Sequence, residues 1–403
     1  MKINSISFKG FTFLSLLLLT ATSLRAQNSA LLSGQDRNRR PITTAVPFLN
    51  FAPDSRHSAM GDVGVATTPD ANSAHWNAAK LAFIDDQMGF SLSYSPWLGR
   101  LVPDMSLNYL TGYKRIDDVS AFGIDLRYFN MGDIQLTDGR GNELGEFTPR
   151  DIAIGGTYAR KLSDVLSLGI SARFIHSNLS GNVGAGGGNE GRPGVSVGTD
   201  IGVYYRDEVS IAGQEAFWSW GVNISNIGPK LTYNSIEDLD YIPTNFRIGT
   251  ALDIPLDEMN RLTLALDLNK LMVPTPPIYA RDEQGNLVTD NQGNLVIESG
   301  RDPNRPLISG MFGSFFDAPG GFREEMQEFM ISFGAEYAYD QKFMVRTGYF
   351  HENINKGGRK YFTMGVGFNY QRFGFDFSYL VPQVQNHPLA ETLRFSLAYN
   401  IPR

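Results

Sequence analysis

The chain contains no cysteine in its 403 residues. That excludes a disulfide framework and any thiolate metal site, so cohesion must come from packing or from a closed ladder of backbone hydrogen bonds. Beyond residues 1–26 there is no apolar run long enough to cross a bilayer as a helix. A place in a membrane would therefore require a barrel. Basic residues are scarce as well, 35 against 42 acidic. A nucleic-acid partner needs a basic face, so none is expected. The histidines, His57, His75, His176, His351 and His387, are scattered without a pair at ligand spacing, and the sequence predicts neither metal nor cofactor.

What is present begins with an export signal. Lys2 and Lys9 accompany an apolar stretch, Phe11 to Leu24, that is too short to span a membrane, and Ala26 suits a cleavage site. Residues 1–26 read as a secretory signal peptide. Without Lys2, Lys9 and Arg25 the balance is 32 basic against 42 acidic residues.

From Gln87 onward apolar and polar residues alternate with period two. Leu166, Leu168, Ile170, Ala172 and Phe174 share one face, opposed by Ser167, Gly169, Ser171 and Arg173. Fourteen such segments are predicted: 87–95, 105–114, 119–129, 150–160, 165–176, 194–206, 216–225, 243–253, 261–270, 327–339, 342–351, 360–370, 372–380 and 391–400. Most have the length that a tilted strand needs to cross a bilayer. Connections after even-numbered segments are short and those after odd-numbered ones mostly longer, the signature of an outer-membrane barrel with its tight turns in the periplasm. The apolar face carries tyrosines near strand ends, Tyr94, Tyr113, Tyr158, Tyr337 and Tyr399 among them, as an aromatic girdle would. The opposite face carries Asp125, Arg127, Arg173, Asp200, Arg247, Asp267, Glu336, Arg346, Asp376 and Arg394, which suits a polar, partly filled lumen.

The expected fold is thus all-β, a 14-stranded antiparallel transmembrane β-barrel over residues 87–403, integral to the outer membrane and in contact with its lipid. Residues 27–86 form an N-terminal periplasmic or plug segment. Its stretch Met60 to Leu81, MGDVGVATTPDANSAHWNAAKL, has small residues that let backbone approach a glycine-rich wall. Entering from the short-turn side, it would fold up into the lumen, with Asp62, Asp70, Asn72 and Asn77 meeting luminal charges and Trp76 as anchor. A flexible tether is the alternative, because glycine and alanine also suit linkers.

Several motifs suggest chemistry. Gly194 to Gly198 matches G-x-S-x-G but sits inside an alternating strand rather than at a strand-to-helix elbow. Gly186 to Gly191 matches G-x-G-x-x-G without a βαβ unit around it. Asp138, Asp282 and Asp290 each open a D-x-x-G-N unit; the spacing misses a calcium loop, and hairpin turns are the plainer reading. Two outer loops are conspicuously apolar. One holds Trp97, Leu98, Leu101 and Val102; the longest holds Leu307 to Phe322, with Met311, Phe312, Phe315, Phe316 and Phe322. Exposed apolar surface of that kind marks a partner site, unless the loop folds back and buries its own side chains.

The stretches Ile42 to Leu49, Ala52 to Arg56, Met60 to Leu81 and Ser95 to Asp104 resemble the PorV family, also described as LptO. That family supplies the outer-membrane barrel component of the type IX secretion system and falls within the FadL-type superfamily of fourteen-stranded barrels. Fatty-acid transporters of the superfamily end a similar segment in Asn-Pro-Ala, whereas here Asn77-Ala78-Ala79 lacks the proline that would fix the backbone. The resemblance implies a non-enzymatic barrel that binds the very large translocon barrel (SprA- or Sov-type) and the C-terminal domains of secreted cargo. It implies delivery of that cargo to a PorU-type attachment complex. The alternative is a FadL-type transporter of fatty acids or other hydrophobic small molecules, which should line its lumen with an apolar tunnel rather than with glycine, serine and charges. An enzyme such as a lipid A deacylase would need a nucleophile beside a base, and no such grouping is visible.

Overall fold

The computed structural model describes residues 39–99, 102, 104–137, 140–179, 192–211, 213–233, 239–284, 286–383 and 392–402. The signal peptide, Leu101, Asp138 and the 186–191 motif lie outside the described residues. Residues 40–403 form one compact unit.

Alternation in the sequence becomes fourteen long strands: β1 Met88–Pro96, β2 Ser106–Arg115, β3 Ser120–Asn130, β4 Arg150–Lys161, β5 Leu166–Asn178, β6 Gly194–Ile211, β7 Gln214–Ile227, β8 Asn245–Pro255, β9 Asn260–Leu271, β10 Met330–Tyr339, β11 Phe343–His351, β12 Lys360–Tyr370, β13 Phe373–Pro382 and β14 Leu393–Ile401. Each pairs antiparallel with its neighbours, and β14 closes on β1 with Met88 opposite Ile401 and Tyr94 opposite Phe395. Closure leaves no unpaired strand edge, which is what allows a sheet to live in lipid. All fourteen predicted segments are strands. The largest shift at a start is in β10, which begins at Met330 rather than 327 because Met326–Glu328 form a tight 3-10 turn.

Burial inverts the pattern of a soluble protein. Phe90, Leu92 and Tyr94 of β1 are exposed while Ser91, Ser93 and Ser95 between them are buried. The same holds around the wall, where Ile124, Ile170, Val197, Phe333 and Phe375 face out. All ten predicted luminal charges point inward, each buried or nearly so. Tyr113 departs from the girdle expectation: it faces inward on β2 and packs with Leu81, Ala82 and Ile84. The run Leu107, Tyr109, Thr111, Tyr113 puts large residues on the luminal face, so side-chain size alone misassigned it.

Short turns at 116–119, 162–165, 212–213, 256–259, 340–342 and 371–372 lie at one end, and the longer connections at the other. Two small hairpins decorate the long-loop end, Ile134–Thr137 with Glu143–Phe147, and Ile278–Tyr279 with Ile297–Ser299.

Residues 40–84 occupy the barrel interior from end to end. At the long-loop end the Arg40 N–H donates to the Asn355 carbonyl oxygen at 2.9 Å. At the short-turn end Arg115 Nη1 donates to the Ile84 carbonyl oxygen at 2.5 Å. The described segment runs from the long-loop mouth, at Arg40, to the short-turn end, where it joins strand β1. At the long-loop end Val46, Phe48 and Leu49 pack against Trp97, Leu107, Phe129 and Ile175.

Candidate functional site

The luminal segment is organised around Asp54. As cap of the helical turn Ser55–Ser58, its carboxylate accepts from the His57 backbone N–H at 3.0 Å. It also accepts from His57 Nδ1 at 2.7 Å and from Trp76 Nε1 at 2.8 Å. His57 Nε2 lies 3.0 Å from Thr67 Oγ1, and Lys80 Nζ donates to Thr67 Oγ1 (2.9 Å) and to the Gly64 carbonyl oxygen (2.8 Å). Every one of these side chains is buried, and each polar group is matched, as burial requires.

The barrel wall grips this core by hydrogen bonds to backbone. Asp267 accepts from the N–H groups of Gly64 (2.7 Å) and Val65 (3.0 Å), and Arg127 Nη1 donates to the Leu49 carbonyl oxygen at 2.6 Å. At one close approach of the segment's backbone the wall residue is glycine: a Cβ on Gly169 would stand 2.3 Å from the Ala79 nitrogen.

Of the residues expected in this segment, Asp62 reaches luminal groups, accepting from Tyr361 Oη at 2.5 Å and lying 3.7 Å from Arg394. Asn77 bonds the wall through the Val203 carbonyl oxygen at 2.9 Å and caps the following turn. Trp76 is buried as an anchor, beneath Arg247 at 5.0 Å. Asp70 pairs instead with Arg56 of the segment itself (2.9 Å), which in turn approaches Glu336 of the wall at 3.4 Å. Asn72 donates its N–H to Asp70 and meets no luminal charge. Asp54, Arg56, His57 and Lys80 were not foreseen; the D-S-R-H start of a helical turn was the available signal.

At the long-loop end the apolar residues divide. Trp97 is 7% exposed, stacked on Phe51 at 4.3 Å and edge-on to Phe129 at 5.9 Å. Leu98 packs on the same cluster, and Val102 is half-buried. In the longest loop Met311 is buried and Phe315 leans edge-on against Phe246 at 6.2 Å. Phe312, Phe316 and Phe322 are 59%, 75% and 80% exposed, and Ile308 and Met326 join them.

A buried charge cluster pins that loop. Lys270 has the outward parity of Leu266 and Leu268, yet it is fully buried between Glu325 (3.3 Å) and Glu328. Lys356 Nζ donates to Glu324 (2.6 Å) and Glu328 (2.8 Å), and Arg40 Nε donates to Glu324 at 3.1 Å. Three acids in one turn thus tie together the start of the luminal segment, strand β9 and the 352–359 loop. Beside them, burial pushes the Asp317 carboxyl up to about 6, against a hydrogen bond from the Thr275 N–H.

Among the described residues, the G-x-S-x-G serine and two of the D-x-x-G-N aspartates have structural partners. Ser196 faces the lumen and donates to the Pro229 carbonyl oxygen at 3.0 Å. Asp282 and Asp290 each accept from two backbone N–H groups of their own turns, at 2.8–3.0 Å, which is the hairpin role, with Gly293 at φ +86. Among the described residues no group of three or more His, Asp or Glu side chains could hold a metal ion.

The sequence model of the family described as "Type IX secretion system protein PorV" matches residues 34–278. No curated protein matches the chain. Among solved structures, similar ones include the toluene transporter TbuX of Ralstonia pickettii, at 14% identity and TM-score 0.45, covering 87% of this chain and 98% of that one. The P. putida toluene transporter TodX gives 12% identity and TM-score 0.46 over 87% and 99% of the two chains. A Pseudomonas aeruginosa FadL homologue gives 12% and 0.41 over 90% and 99%.

Proposed function

This chain belongs to the PorV family of type IX secretion system proteins, and we propose on that footing that it acts without chemistry of its own, as a binding and shuttle barrel of the outer membrane. It engages the very large translocon barrel, receives secreted cargo through the cargo's C-terminal domain, and hands it to the surface attachment complex. The family match over residues 34–278 carries this reading. Support comes from the longest loop, where Phe312, Phe316 and Phe322 stand exposed on a segment fixed by buried ion pairs. A pre-ordered apolar surface loses little entropy on binding and suits a protein partner. Trp97 and Met311, both buried, contribute through the packing of their own loops. The long-loop end faces the cell exterior and the short turns the periplasm. Residues 40–84 act as a plug that keeps the lumen closed while cargo passes elsewhere.

The deciding experiment is deletion of the gene, followed by analysis of periplasm, cell surface and medium. Cargo retained in the periplasm is the expected result; normal secretion would overturn the reading. In the complemented strain, joint alanine substitution of Phe312, Phe316 and Phe322 should lower translocon co-purification while the barrel still assembles.

A further inference from the structure

The outward face of the barrel is not uniform. On β3 to β6 it is aliphatic, with Ile124, Ile154, Ile170, Val197 and Ile201 exposed. On β11 to β14 and β1 it is largely aromatic, and there the side chains stand in ladders. The pairing register sets Phe343, Phe368, Phe375, Leu397 and Leu92 in one row across five strands. The next outward row, two residues further along each strand, is Val345, Val366, Phe377, Phe395 and Tyr94. Between the rows lies a groove of about 490 Å³, with Gly367, Asp376 and Ser396 of the intervening inward-facing row at its floor. The backbone ladder beneath is paired without a break, so the groove is a feature of the outer surface and not a passage through the wall.

Neighbouring strands lie about 4.8 Å apart, so five of them make the groove about 19 Å long. Membrane strands tilt by about 45°, which inclines the rows too, and one leaflet of hydrocarbon is about 15 Å deep. The groove thus matches a single lipid chain in length. Its two ends differ. Phe343 is the first residue of β11, directly after the 340–342 turn, whereas Leu92 lies in the middle of β1. The groove therefore starts at the short-turn boundary of the membrane and climbs toward its centre. Cations sit at the starting end. The Asn369 N–H donates to the Lys342 carbonyl oxygen at 2.7 Å, which brings Lys342 beside the end of β12, and the Lys342 side chain is exposed next to Asp340. Arg372, in the following turn, is exposed and forms no ion pair among the described residues. The ridges are fixed in advance, Phe377 and Phe395 being held edge to face at 5.3 Å.

We propose that this groove is a binding site for one diacyl phospholipid of the leaflet on the short-turn side, with a chain lying between the two rows and the phosphate at Arg372 and Lys342. Within hydrocarbon, covering apolar surface brings no hydrophobic gain. What sets the site apart from the rest of the wall is shape, through dispersion contacts along the chain, together with a charge-assisted bond from guanidinium to phosphate. Stiff rings lose little freedom when the chain settles between them. The site rests on the membrane-spanning barrel and not on the secretion role.

The test is native mass spectrometry of the full-length barrel, purified in an uncharged detergent and supplied with dipalmitoyl phosphatidylglycerol, with dipalmitoyl glycerol, or with lipid A. One phosphatidylglycerol should stay bound at collision energies that strip the detergent, and dipalmitoyl glycerol, which lacks the phosphate, should not. Val366→Trp, which fills the groove, should lose that lipid. Arg372→Gln combined with Lys342→Gln should lose the preference over dipalmitoyl glycerol. Ile170→Trp, on the aliphatic sector, should retain the lipid as the unaltered chain does. Heat-modifiable migration checks that each variant is a folded barrel, and Leu397→Trp fills the same groove from another strand should Val366→Trp fail that check. Equal retention of dipalmitoyl glycerol, unchanged retention in the filled variant, equal loss in Ile170→Trp, retention of lipid A alone, or no retained lipid would each overturn the proposal.

Discussion

Trp97, from the first outer loop, stacks on Phe51 of the luminal segment with ring centroids 4.3 Å apart and planes 14° from parallel. A side chain that the sequence presents as exposed thus packs the first outer loop against the interior segment at the long-loop end.

Trp97→Ala should accordingly behave as a core substitution. The loss is expected at about 3–5 kcal/mol, the range for deleting a large buried aromatic. Thermal unfolding followed by heat-modifiable migration in gels would show it as a clear drop in midpoint. A wild-type midpoint combined with lost partner binding would instead place Trp97 in a contact surface.

Asp54 joins His57 and Trp76, whose rings also lie 4.9 Å apart. Asp54→Ala strands three buried donors, each costing about 1–3 kcal/mol. Red-shifted tryptophan emission and faster hydrogen exchange over residues 54–80 are expected, with the barrel strands still protected. Unchanged exchange in that segment would refute the role of Asp54.

The proposed closure of the lumen by residues 40–84 makes an electrical prediction. A variant lacking residues 57–81 should conduct ions in planar bilayers where the full chain does not. Gly169→Val, whose Cβ would collide with the Ala79 backbone, should give intermittent openings. If both remain silent, the segment does not seal the barrel.

Asp317 predicts how the longest loop responds to pH. Its folded-state carboxyl is raised to about 6 from 3.8, so the folded loop binds the proton more tightly than the opened loop does. That contribution is fully present below about 4 and is lost as pH rises through about 6. The acids beside it are Glu325 and Glu328, countered by Lys270. Hydrogen exchange over residues 314–328 should be slower at pH 5 than at pH 7, after correction for intrinsic rates. Asp317→Asn should flatten that difference, and a difference of opposite sign would contradict the assignment.

Much of the barrel was legible because strand period and membrane thickness are local constraints. Leu266 and Leu268 must face lipid and Asp267 must not, whatever the rest of the chain does. The same logic failed at Lys270, where an outer loop buries a residue that period alone would place outward, and side-chain size misled at Tyr113, which the luminal segment buries. The exposed half of the candidate site, Phe312, Phe316 and Phe322, was visible as an apolar loop; its buried supports were not distinguishable from it.

By itself the sequence determined the fourteen strands, their inward and outward faces, and the sorting of long loops from tight turns, since each follows from alternation over ten or so residues. Tertiary structure alone decided the path of residues 40–84, the burial of Trp97, and the cluster around Glu324, Glu325 and Glu328. These depend on contacts between residues up to hundreds of positions apart, and no local pattern encodes which side chains a closed barrel brings face to face.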